Sequence, residues 1–397
     1  MSPLLSRTSL IVACLSLLIA AGGLPAPSAS TAETASTKRL LRVGPGQQLR
    51  TPGEAAAVAR SGDVIEIEAG VYPGDVAVWR QDRLTIRGVD GRAHLRADGN
   101  HAEGKAIWVI KGNNTTVQNI EFSGATVPDR NGAGIRQEGR NLTVRNCYFH
   151  DNENGILAGD HPRSKIIVEH SIFENNGYGE GRTHNIYING IRRFVFRYNW
   201  THHTRIGHNV KTRAKRSYIL YNRIMDGDDG TSSYAVDLSN GGLVVMVGNV
   251  IQQGPETDNS TIVAFGAEGL THRRNKLFFI HNTVVNDRHA GTFLWITGGE
   301  PDKVKVVNNL FVGPGDIDRD PDFKIRRNLF SRDDPGFVDA DAFDYRLAAG
   351  SRAIDAGGPS GSAGKFSLRP RFHYLHPADR EQRNIERKPD LGAYERE

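Results

Sequence analysis

Cysteine is almost missing from this chain: its 397 residues include two, Cys14 and Cys147. Two thiols so placed cannot build a disulfide framework. With 38% hydrophobic and 24% charged residues, the chain is too polar for a multi-span membrane protein. A strong excess of one charge is missing too. Lys and Arg number 50 against 45 Asp and Glu, a formal +5. That balance is too mild and too evenly spread to mark a nucleic-acid binder. Arg outnumbers Lys, which suits a partner carrying carboxylates, sulfates or phosphates. Helical periodicity is the last thing lacking, while glycine is abundant at 44 residues.

What is present begins with an address. Residues 1–32 carry Arg7, then the apolar run Leu10 to Ala21, then small residues through Ala32. This is the pattern of a secretory signal peptide, with an apolar run too short for a stable membrane span. The mature chain is therefore expected to be secreted or periplasmic, with no membrane span after cleavage. Cys147 sits in an apolar strand pattern and reads as core filler.

Self-similarity organises the rest. A short apolar strand carrying an Asn returns as Val117-Gln118-Asn119, Val144-Arg145-Asn146, Val168-Glu169-His170, Arg197-Tyr198-Asn199, Leu220-Tyr221-Asn222, Val247-Gly248-Asn249, Ile280-His281-Asn282, Val307-Asn308-Asn309 and Arg326-Arg327-Asn328, and these Asn residues are expected to ladder at the corners. Most intervals are about 23 to 29 residues; a longer one ends at Asn282 and a shorter one at Asn328. Between these strands lies a second set, which includes Ile135, Ile156, Ile186, Val210 and Val236. Short β-branched pieces punctuated by Gly, Asn and Asp at a fixed period predict a β-solenoid. A propeller would need a repeat nearer 40–45 residues.

Both ends fit. Thr51-Pro52-Gly53-Glu54 is a capping box with Pro at the first helical position, and the alanines after it predict one helix covering the first coil. Residues 33–331 are expected to form the solenoid and 332–397 a closing segment. Gly358 to Lys388 reads as a loose basic arm, after which Pro389 to Glu395 docks back.

The Ala55-to-Tyr72 pattern, the Asn-bearing coils and the closing Asp390-Leu391-Gly392-Ala393-Tyr394-Glu395 resemble the right-handed parallel β-helix family of secreted polysaccharide-active proteins, the pectate-lyase-like group. The resemblance implies an all-β, single-stranded right-handed parallel β-helix. It spans almost all of the mature chain. The group includes lyases, epimerases, hydrolases and non-catalytic adhesins, so activity has to be argued from the site.

In such a fold, matching positions of successive coils are one strand spacing apart, and alternate residues share a face. With Val210 inward, Asn209, Lys211 and Arg213 are expected outward, with Tyr187 and Asn189 on one side and Asp237 on the other. Cleavage by β-elimination needs a cation on the uronate carboxylate, a base for the α-proton and an acid for the leaving oxygen. Arg213 suits the first role, because its fork matches a carboxylate. Lys211 is the expected base, and Tyr187 or His208 the acid, with Asp237 the fifth catalytic candidate. Asn189, Asn209, His184, His202, His203 and Arg192 are expected substrate contacts. Ca²⁺ is the one cofactor with a candidate place, the turn carrying Asp226, Asp228 and Asp229.

Plainer alternatives stand beside each role. Lys211 and Asp237 can be a surface ion pair, which would raise the lysine's pKa. His184, His208 and Tyr234 can be an inward structural ladder, and the Asp226 turn simply solvated. The expected partner is an acidic polysaccharide rather than nucleic acid, and the expected state is a monomer. Hydrolysis, using Asp237 with Asp228 or Asp229, is the main rival reaction. The Asn-Thr-Asp and Arg-Ile-Lys motifs of polygalacturonases, the Asp-Pro-His-Asp motif of mannuronan epimerases and the pectate-lyase signature around a catalytic Arg are missing. Uronate epimerisation and non-catalytic carbohydrate binding or adhesion complete the alternatives.

Overall fold

The computed structural model describes residues 38–318 and 320–396. The expected signal segment and Cys14 lie outside them. Among the described residues, no helix is long and apolar enough to cross a membrane.

Strands of three to five residues dominate, and they pair in parallel with the coil before and the coil after. Three parallel sheets result. The first sheet includes Thr115–Gln118, Leu142–Arg145 and Arg216–Leu220; the second includes Ile120–Ser123, Tyr148–His150 and Trp200–His202. The third sheet has ten strands, among them Ile186–Ile188, Val210–Thr212 and Val236–Leu238. This is an all-β solenoid of about ten turns.

Alternation along each strand turns one apolar residue per sheet inward on every coil. In the first sheet Val117, Val144, Val168, Phe196 and Ile219 align in register. In the second, Phe122, Phe149 and Phe173 stack with centroids 5.0 and 4.8 Å apart. In the third, Ile156, Ile186, Val210, Val236 and Val263 align. All of these are 0% exposed.

The corner between the first two sheets carries a buried amide ladder. Asn199, Asn222, Asn249, Asn282, Asn309 and Asn328 each accept at Oδ1 from the preceding rung, where there is one, and donate from Nδ2 to an inner carbonyl and, in all but the last, to the next rung. Asn222 is typical: its Nδ2 donates to Phe196 O and to Asn249 Oδ1, both at 2.9 Å. A buried amide costs free energy unless so satisfied. Asn119, Asn146 and His170 do not belong to this column. They occupy the left-handed corner one residue earlier, at φ of 56°, 50° and 54°, where Tyr198 and Tyr221 also sit. The sequence frame is thus shifted by one residue in the first three coils. Asparagine suits both places, since it tolerates left-handed φ and ladders well.

The expected capping helix is Pro52–Val58, with Thr51 Oγ1 accepting from Glu54 N. Its buried Pro52, Ala55 and Ala56 face the N-terminal end of the core. At the other end, residues 358–388 are not a loose arm. They form two antiparallel hairpins, and Leu368 is 0% exposed against Tyr198, Tyr221 and Phe278. The closing motif docks on the second sheet: Gly392 N donates to Asn308 O and Ala393 N to Thr283 Oγ1. Gly392 has φ of 85°, and a Cβ there would lie 2.5 Å from Thr283 Oγ1, so glycine is required. Cys147 is free and buried, its thiol pushed up to about 12 by burial.

Candidate functional site

The third sheet builds the candidate site. Ile186, Val210 and Val236 turn inward in register, so Tyr187, Lys211 and Asp237 project outward side by side. Lys211 Nζ donates to Asp237 Oδ2 at 2.7 Å, and Ser239 Oγ donates to the same oxygen at 2.7 Å. Arg213 Nη1 reaches Asn189 Oδ1 at 2.9 Å. The Tyr187 ring lies under both cations, 5.6 Å from Lys211 Nζ and 5.2 Å from Arg213 Cζ.

A residue outside the repeat completes the cluster. Glu268 accepts from Arg213 Nε at 2.7 Å and Nη2 at 2.8 Å, and from Lys211 Nζ at 2.9 Å. It sits in a turn after the strand Thr261–Phe265. Gly266 starts that turn at φ of 91°, with Thr297 O 2.2 Å from where a Cβ would be, so the turn depends on glycine. Glu268 N then donates to Ser239 O at 2.8 Å, which folds the loop over the outward face. The loop is what lengthens the interval between Asn249 and Asn282 to 33 residues. That anomaly was the available signal for Glu268.

Electrostatics follow from these contacts. Burial alone would lower the Lys211 ammonium, but Asp237 and Glu268 outweigh it and hold it above its ordinary value. The expected general base is therefore kept protonated. Hydrogen bonds from Arg213, then from Lys211, pull Glu268 down to about 2. Burial raises Tyr187, which stays a phenol.

The histidines beside the cluster are stacked inside it. His184 and His208 lie 4.7 Å apart, and His208 and Tyr234 4.9 Å. His184 Nδ1 accepts from His208 N at 3.0 Å, and His208 Nδ1 accepts from Tyr234 N at 3.1 Å. A ring nitrogen that accepts carries no proton, so each neutral ring bears its hydrogen on Nε2. Burial pushes His208 down to about 4 and His184 well below its ordinary value. His208 Nε2 lies 3.5 Å from Asp237 Oδ2 and backs that carboxylate. The rings thus form a stacked ladder, but it flanks the outward Tyr187 and Asp237 and does not point into the apolar core.

Other expected contacts fall elsewhere. Asn209 is 0% exposed, because the chain turns a corner there and alternation breaks. It belongs to a second ladder, Asn152–Asn176–Asn185–Asn209, that ends on Asp226. His202 lies on the second sheet, stacked 4.0 Å from Trp200, with Nδ1 2.7 Å from His203 Nδ1. His203 turns to Asp229 at 3.0 Å. Arg192 is exposed on the first sheet. The acidic turn does not converge: Asp226 is buried against Asn209 and Ser232, while Asp228 and Asp229 are exposed. These carboxylates do not fit a calcium cage.

On the other flank of the Glu268 loop, a cavity of about 780 Å³ opens on the first sheet. Lys215, Arg216, Arg273, Arg274, Lys276 and Lys303 line it together with Tyr218 and Phe278, and no carboxylate does. His272 in its wall reaches Arg213 O at 3.1 Å. The basic cavity and the cluster therefore share the segment around Arg213.

Residues 56–190 match the family described as right handed beta helix region. Among solved structures, the chain is similar to the crystal structure of pectate lyase Pel9A, with a TM-score of 0.60 and 15% identity over 91% of this chain and 97% of that one. No curated protein matches the sequence. The fold is a right-handed parallel β-helix.

Proposed function

We propose that the protein is an extracytoplasmic enzyme that binds an acidic polysaccharide and cleaves it by β-elimination at the Arg213–Lys211–Tyr187 face. One observation carries this reading: Arg213 and Lys211 already hold a carboxylate, that of Glu268, in a bidentate geometry. A uronate carboxylate fits the same place. Glu268 is 36% exposed at its side chain against 2% for Asp237, so it is the carboxylate that can be displaced.

The chemistry then follows from the exchange. The substrate carboxylate takes the Arg213 fork, and the two cations stabilise the charge that develops on it as the α-proton leaves. Lys211, held charged by Asp237, acts as a cation rather than as the base. Glu268, released from the pairs that keep it acidic, regains basicity next to C5 and accepts the proton. The C5–H electrons form the C4=C5 bond, the C4–O bond breaks, and the Tyr187 phenol protonates the leaving oxygen. The six cations of the neighbouring cavity supply subsites for further acidic sugars. Hydrolysis on this face lacks an accessible second carboxyl: Asp237, beside Glu268, is 1% exposed beneath Lys211.

A binding-only reading draws on the saturation of Lys211 and Arg213 by the protein's own carboxylates. Incubation of the purified chain with uronate polymers separates the two. Elimination gives the ultraviolet absorbance of an unsaturated uronate; an adhesin gives retention without product. The N-terminal pattern of residues 1–32 supports export, and a monomer is part of the same proposal.

A further inference from the structure

The outer face of the second sheet carries a separate cluster. His94, Glu121 and His150 come from three successive coils, the strands Thr85–Arg96, Ile120–Ser123 and Tyr148–His150. Register sets His94 beside Glu121, and His150 two residues further along on the next coil, opposite Ser123 and on the same outward face. One ligand atom from each lies within 4.8 Å of the others. His94 Nδ1 and His150 Nε2 both point at the same oxygen, Glu121 Oε1, at 3.3 and 3.2 Å.

The second nitrogen of each ring is also engaged. His94 Nε2 meets Ser123 Oγ at 2.7 Å, and His150 Nδ1 meets Asp151 Oδ2 at 2.8 Å. Arg205 Nη2 in turn holds Asp151 Oδ1 at 2.7 Å. Outer partners of this kind fix ring orientation and tautomer in metal sites. We infer that His94 Nδ1, His150 Nε2 and the Glu121 carboxylate form a site for a borderline divalent cation such as Zn²⁺, with a fourth position open to solvent.

Spacing and chemistry agree. Donors around tetrahedral zinc, each about 2.0–2.1 Å from the ion, stand roughly 3.3–3.5 Å apart. Two imidazoles and one carboxylate select zinc-like ions over calcium or magnesium, which prefer all-oxygen sets. Side-chain exposures of 21%, 22% and 19% leave an entry path. Among the described residues, this is the one such group of three ligands. It is independent of the Arg213 face, and an ion here ties three coils together.

Titration of the metal-stripped full chain with Zn²⁺ alone, followed by calorimetry and by metal analysis after dialysis, tests the site. One ion per chain is expected, with binding at least tenfold weaker in His150→Ala and in Glu121→Ala. Both changes lie on an outward face, and circular dichroism checks that the solenoid persists. Failure of the wild-type chain to take up Zn²⁺, or one retained ion per chain at unchanged affinity in both variants, overturns it.

Discussion

Glu268 grips Arg213 through two guanidinium nitrogens, Nε at 2.7 Å and Nη2 at 2.8 Å, from a loop that the repeat does not include. A carboxylate of the protein thus occupies the place proposed for the substrate's. Its removal should have two opposite effects. In Glu268→Gln, uronate oligomers should bind several-fold more tightly because the cations are free. Turnover should fall by about 10²-fold or more because the base is gone. Calorimetry for binding and steady-state rates for kcat separate the two. Tighter binding with undiminished kcat would make Glu268 a gate and not a base. The partly exposed pair itself contributes at most about 1 kcal/mol to stability.

Arg213→Ala should lower kcat/KM by about 10²–10³-fold, the usual effect of removing a donor that stabilises developing charge. Arg213→Lys should recover little, because an ammonium cannot reproduce the fork. The substrate-concentration dependence of the rate checks both.

Asp226 makes a pH prediction. Burial pushes its carboxyl up to about 6 from an ordinary 3.8, against the hydrogen bonds from Ser232 and Asn209. A folded-state pKa above the unfolded one means that the native chain holds the extra proton. Stability is then greatest below 3.8 and is lost as pH rises through about 6. Asp226→Asn, which extends the asparagine ladder by one rung, should erase that slope. At pH 8 it should be more stable than wild type by an amount on the order of 2–3 kcal/mol. Urea unfolding at pH 4 and pH 8 measures the difference.

The two asparagine columns should behave differently. Asn249→Ala removes the hydrogen bonds to Ile219 O and Asn282 and takes the Oδ1 acceptor from the Asn222 backbone N–H and from one of its Nδ2 hydrogens, costing about 2–4 kcal/mol. Asn146→Gly, at an exposed left-handed corner with φ of 50°, should change stability by less than about 1 kcal/mol. Thermal unfolding of both variants tests this assignment of the columns.

The sequence made the solenoid and the Tyr187–Lys211–Asp237 row legible for one reason. Coil spacing and strand alternation are periodic, and Ile186, Val210 and Val236 mark the register. Legibility failed where periodicity failed. Asn209 sits at a corner, so counting outward from Val210 placed it on the wrong side. His202 and His203 are close to Lys211 in sequence, yet a corner separates them, with His202 on another sheet and His203 just past the end of its strand. Glu268 belongs to an inserted loop with no counterpart in other coils. Its ion pair, with that of Asp237, also holds Lys211 charged, which the sequence alone could not fix.

The most direct measurement is the time course of ultraviolet absorbance when wild type and Arg213→Ala are mixed with a panel of uronate polymers. The account predicts a rising unsaturated-uronate signal with wild type on at least one polymer, and a rate at least about 10²-fold lower in the variant. New reducing ends without that absorbance, or equal rates in the two proteins, would contradict it.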